Sequence, residues 1–287
     1  MTKVIEQGAV DFSVNYKVQT TWGFQEGLTF VLEGLGAALF FLSLLTHNLG
    51  GMVAGVFVLM ASGGLLMMHL GNPKNMIYVL ANIRHSWMSR GAALIPLFIG
   101  LGVLIIIAQV FFGASPEGSG KHVLQVLFLL LTIFVLLKSG LVMTTFPAIS
   151  FWNGGLLPIV FALSGLTSGL AVFATFSGST LAEYPWILPS LLALLLVATA
   201  IYLVTIKEAS RAAKVSVELI AERHFSAFYG VGIVLGLALP LAIAVYIVLV
   251  PSAASFYLFS IMAVARVVGD IALRDVILKV GVFDKVL

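Results

Sequence analysis

The sequence predicts an all-α transmembrane fold of eight helices, and three observations carry that reading. First, 61% of the 287 residues are apolar and only 9% are charged, against about 25% charged in an ordinary soluble domain; mean hydropathy is +1.13. Second, continuous apolar stretches of about 20 residues recur, each long enough to cross ~30 Å of hydrocarbon. Third, the connections alternate between short, nearly uncharged links and longer, charged ones. So much apolar surface cannot be hidden in one soluble core. A soluble enzyme, a nucleic-acid binder and a disordered tail are therefore excluded, and a pI of 9.2 resting on a net charge of +3 does not argue for nucleic acid. Membrane-spanning β-strands are excluded too, because each run is continuous and twice a barrel strand's length.

Residues 1–23 are polar, read as a cytoplasmic segment, and show no cleavable leader. Spans are expected near 24–46, 51–70, 90–112, 122–146, 154–177, 186–206, 228–249 and 254–277. The segment after the second span holds Gly71-Asn72-Pro73, a strong turn signal, then a short amphipathic piece whose Trp87 and Arg90 suit the headgroup level. Segment 207–227 reads either as a docking surface of mixed charge or as an amphipathic extension on lipid headgroups. A faint internal repeat links Trp22 and GLGAAL from Gly34 with Trp152 and GLTSGL from Gly165. Four spans separate the two, so they run in the same direction. This predicts two four-helix bundles, 24–146 and 147–287, related by a parallel repeat; chance recurrence of small-residue packing is the bland reading.

Positive charge is one-sided. Twelve Lys and Arg residues fall on the N-terminal face, Lys121 alone on the opposite face, and Lys138 and Arg266 inside spans. By the positive-inside rule both termini are expected in the cytoplasm, in a multi-pass protein of the cell inner membrane. The basic face could equally be kept for an acidic partner.

Ionisable groups inside a membrane cost about 2.5–3.5 kcal/mol each on insertion scales, so each needs a reason. Glu26 and Glu33 are two turns apart on one face of the first span. Lys138 lies halfway through the fourth and is expected to pair with a carboxylate. Arg266, Asp270 and Arg274 sit at four-residue spacing in the eighth, either as a self-neutralising ladder or as part of a proton path with Glu33. Glu26 also suits a helix N-terminus, so structural and proton-carrying roles stay open there. The histidines all lie near span ends, whereas a transmembrane haem takes two from facing helices. With no cysteine, no iron–sulfur cluster, covalent haem or disulfide is expected, and no metal ligand set is found. His69, where the second span leaves the membrane, is placed to exchange protons with a lipid-soluble ligand or to anchor at the interface.

Three blocks resemble one known family. They are HLGNP…SWMSRG at 69–91, FPAISFWNGGLLPIVFALSGLTSGLA at 146–171 and VARVVGDIALRDVILKVG at 264–281, with Trp22 before the Gly-rich first span as a weaker fourth. In order and residue type they are similar to polysulfide reductase/NrfD-type membrane subunits, relatives of the DMSO reductase anchor. The resemblance implies a quinone-reactive subunit that anchors an iron–sulfur electron-transfer protein, usually bound to a molybdopterin catalytic subunit, and that holds no redox metal itself. It implies a menaquinone or ubiquinone pocket beside Trp22, Gln25, Glu26, His69 and the outlet of the fourth span. Relatives often carry Tyr before Gly in that span, where this chain has Lys138-Ser139-Gly140. On this reading His69 and Glu26 bind and protonate the quinone, Lys138 tunes it, and Glu33 extends a proton path. The competing class is a secondary transporter or ion-translocating protein, which also uses repeats and buried charges and needs no redox partner.

Overall fold

The computed structural model describes residues 16–69, 76–113, 118–178 and 183–284, except for the side chains of His69, Met76, Ile77 and Ser119. The Gly71-Asn72-Pro73 turn lies outside them. Among the described residues, eight helices are long and apolar enough to cross a membrane, so the chain is a multi-pass all-α membrane protein. In order they are α1 (Phe24–Leu45), α2 (Leu49–His69), α3 (Trp87–Phe112), α4 (Gly118–Thr144), α5 (Leu157–Phe176) and α6 (Ile187–Lys207). An amphipathic helix, α7 (Arg211–Arg223), precedes the last two, α8 (Ser226–Leu249) and α9 (Phe256–Lys279). Their limits fall within about one turn of the expected spans.

Local chemistry sets the ends. Glu26 in the first turn of α1 accepts the Gly23 N–H at 2.8 Å, which joins a carboxylate to the positive end of the helix. The α1–α2 turn is tight. His47 takes a left-handed φ of 55°, and Asn48 accepts the Gly51 N–H at 2.9 Å as α2 begins. Ser86 starts α3 by accepting from Ser89, three residues earlier than apolarity alone indicates. Arg90 folds back on the connector, donating to the carbonyls of Ile83 and Arg84 and lying 4.3 Å over Trp87. Pro158 occupies the first turn of α5, where its missing N–H costs nothing.

Helices α1 and α5 form the central seam. Each packs on the other and on both α4 and α9; α2 and α3 flank one side, α6 and α8 the other. The backbones touch at Gly34 and Gly165, where a Cβ on Gly34 would lie 3.0 Å from the Gly165 Cα. Small residues let membrane helices approach this closely. Side-chain pairs also correspond across the seam: Glu33 on α1 meets Lys138 on α4, and Ser164 on α5 meets Asp270 on α9. Both pairs sit one residue before the contacting glycine of their first helix.

The start of α8 departs from ordinary helix. Ser226–Ala238 is wound as a π-helix, a form usually confined to single turns. Gly236 there lies against Gly269 of α9. Segment 207–227 is neither an extension of α6 nor a helix with a free apolar face. It turns at Ser210, whose hydroxyl accepts the Ala213 N–H, and α7 then buries Ala213, Ser216, Leu219 and Ile220 against the protein.

Both ends of the described chain meet on one face. Val18 pairs with Val282, and buried Gln19 donates to the carbonyls of Trp22 and Leu278 while accepting from the N–H groups of Thr21 and Trp22. Asp284 accepts from Ser150 and Ser210. On the opposite face Phe111, Phe112, Tyr184, Trp186, Phe256 and Tyr257 are all exposed, as side chains at a membrane interface are.

Candidate functional site

The site builds from the buried pair on α1 and α4. Lys138 Nζ lies 2.8 Å from Glu33 Oε1 and 2.7 Å from Oε2, with both side chains almost wholly buried. An ammonium group carries three donors, and two carboxylate oxygens occupy at most two of them. Oε2 is in ionic contact but has no well-aligned donor. The pair is therefore charge-balanced but has hydrogen-bonding capacity to spare. Lys138 Nζ also lies 5.5 Å from the Phe30 ring centre, within the range of a cation–π contact.

Lys138 reaches α1 across Gly91 of α3. A Cβ at position 91 would lie 2.6 Å from Lys138 Cδ, so a larger residue there would force the lysine to shift. Sequence reasoning on charge does not find Gly91; its only signal is a place in the Ser89-Arg90-Gly91 run of the first resemblance block.

Glu33 and Lys138 line a cavity of about 620 Å³, within the size range of small-molecule sites (about 300–1,000 Å³). It is bounded by Trp22, the first half of α1 (Glu26, Thr29, Phe30), the last turns of α2 (Gly63, Gly64, Leu66, Met67), the first half of α3 (Met88 to Ile99) and Val142 of α4. Its walls are apolar apart from Thr21, Glu26, Thr29, Glu33 and Lys138. It lies on the face where the two ends of the chain meet, since α1 begins there and α2 ends there.

The residues expected at the site divide. Trp22, Glu26, Glu33 and Lys138 all line the cavity. Gln25 is exposed and outside the lining, because neighbouring helix positions are about 100° apart and Glu26 takes the inward direction. His69 closes α2 two residues beyond Met67, but its side chain lies outside the described residues.

Arg266 and Asp270 lie elsewhere, in a closed network between α9 and α5. Asp270 receives Arg274 Nε at 3.1 Å and Ser168 at 3.0 Å, and Ser164 donates to it as well. Arg266 Nη2 is 3.9 Å from Asp270 and donates to Ser164, while Arg266 Nε donates to Thr167. Arg274 also donates to the carbonyls of Phe30 and Phe161 and to Ser139. The three charged groups thus form the expected ladder, and they also tie α1, α4 and α5 to α9. Two arginines and one aspartate leave a net positive charge, spread over these acceptors. The network reaches toward the cavity through Phe30 and through Ser139, the neighbour of Lys138.

No family model matches the chain, and no curated protein matches it.

Proposed function

We propose that this chain is the quinone-reactive anchor of a membrane oxidoreductase, passing electrons between a partner iron–sulfur subunit and the quinone pool. The observation that carries the reading is the cavity. A large apolar chamber within the bilayer ends in a lysine–glutamate pair with unused donors and acceptors, which fits a molecule with an oily body and a carbonyl-bearing head. The resemblance to NrfD-type subunits supports the same reading and adds a molybdopterin catalytic subunit behind the iron–sulfur partner. The basic face carrying both ends of the chain would be cytoplasmic and would meet that partner, in the cell inner membrane.

Reduction of a quinone to a quinol takes two electrons and two protons. The electrons come from the partner's reduced cluster, since this chain supplies no thiolate to hold one. Lys138 offers an N–H to a quinone oxygen, which stabilises the negative charge that develops there. Glu33 accepts and returns protons beside it. Glu26, at the solvent end of the same helix face, renews them, and His69 is placed to join it at the mouth. The apolar walls exclude bulk water from the head group.

The test is quinone-linked turnover by the purified complex. Positioned acid–base groups contribute about 10²–10⁴-fold, so Glu33→Gln and Lys138→Met are each expected to lower turnover by about 10² or more while the complex stays assembled. Wild-type turnover in both variants contradicts the reading. Full activity of the chain with no redox partner bound favours the transporter class instead.

A further inference from the structure

The cavity extends beyond its polar end. Glu26, Glu33 and Lys138 mark the polar end. The lining then continues along Gly63 and Gly64 of α2 and Pro96 and Ile99 of α3. Ile99 stands twelve residues into α3, about 18 Å along its axis, which is well inside the hydrocarbon. Gly64 and Pro96 are exposed in the chain, and both belong to helices long and apolar enough to cross a membrane.

The two glycines do not serve close packing. On α1 a Cβ at Gly36 would come within 2.9 Å of the Gly55 carbonyl of α2, which is how a packing glycine looks. A Cβ on Gly63 or Gly64 would meet nothing within 4 Å. Among the described residues, no side chain fills the space beside these two glycines in the α2 wall. At the other end of the same space, the Glu33–Lys138 pair lines the cavity, and the ammonium group keeps one N–H beyond its two carboxylate contacts.

We propose that Gly63 and Gly64, opposite Pro96, form a lateral portal through which the apolar tail of the head-group ligand leaves the cavity between α2 and α3 and enters the bilayer. The inference rests on the quinone reading and deepens it, since it makes the protein selective for long-tailed quinones. A head group held at Lys138 extends toward Ile99, and its isoprenoid tail passes out where side chains are missing. Bulk at positions 63 or 64 then excludes the tail without touching the head-group site.

The experiment measures binding to the full chain in nanodiscs by saturable quenching of tryptophan fluorescence, Trp22 being part of the lining. The probes are menadione, which has no tail, and menaquinone-4, which has four isoprene units. Wild type is expected to bind menaquinone-4 at least tenfold more tightly. Gly64→Phe and Gly63→Leu are expected to lose at least tenfold for menaquinone-4 and less than threefold for menadione. Gly100→Phe, which adds the same bulk to the outside of α3 where nothing lies within 4 Å, is expected to bind both probes as wild type does. Unchanged menaquinone-4 binding in either portal variant overturns the portal. So does equal loss of both probes in a variant that keeps the wild-type melting temperature, which would place the glycines at the head-group site. If Gly64→Phe does not fold, Gly63→Leu decides alone. Wild-type protein that binds neither probe overturns the quinone reading, and the portal with it.

Discussion

Lys138 packs directly over Gly91, where a Cβ would lie 2.6 Å from its Cδ. The charge itself was easy to find in the sequence, where so few ionisable groups fall inside spans that Glu26, Glu33 and Lys138 stand out one by one. Gly91 was not, since a glycine's role depends on what lies against it from another helix. Gln25 marks the same boundary, because one position of helix rotation separates it from Glu26 and the cavity. The buried pair also carries a stability prediction. Removing one partner of a buried ion pair leaves an uncompensated charge and costs about 3–5 kcal/mol, whereas replacing both is often neutral. Lys138→Met alone is therefore expected to lower the melting temperature sharply, and Lys138→Met with Glu33→Gln to recover most of the loss. A melt of both variants in the same detergent checks this, and equal losses contradict the pairing.

At the scale of elements, apolar runs located all eight spans to within about a turn, because bilayer thickness fixes helix length. The π-wound start of α8 was not legible, since no composition rule separates Ser226–Ala238 from an ordinary apolar helix. Nor was the full role of Arg274: the four-residue spacing shows the ladder, but not its bonds to α1, α4 and α5. The corner between α7 and α8 gives a pH prediction. At His224, partial burial together with Lys279 and Arg223 outweighs the pull of Asp275 and holds the imidazole below the usual histidine range. The folded state then binds fewer protons than the unfolded one between the two pKa values. Stability contributed here is present above about pH 6.5 and is lost as pH falls toward the lowered value. The melting temperature is expected to drop between pH 7.5 and 5.5, and His224→Gln to flatten part of that drop. An identical pH slope in the variant contradicts the assignment.

On the scale of the whole molecule, two features of the sequence become one. The Trp22 and Trp152 segments, read as repeats, come together with the C-terminal residues on a single face, their rings 6.5 Å apart. Gln19 joins that face with four hydrogen bonds, and nothing in a polar N-terminal segment distinguished it beforehand. Removing its amide leaves buried backbone groups unsatisfied, at about 1–3 kcal/mol each. Gln19→Ala is expected to destabilise the protein and, because Trp22 lines the cavity, to weaken ligand binding as well; unaltered quenching by menaquinone-4 contradicts that coupling. The central claim is that the chamber between α1, α2, α3 and α4 holds the quinone. Photolabelling of the purified complex with an azido-quinone, followed by peptide mapping, tests it most directly. Saturable labelling is expected within residues 63–67 and 88–99, competed by unlabelled menaquinone. Competed labelling confined to other segments, or none that saturates, contradicts it.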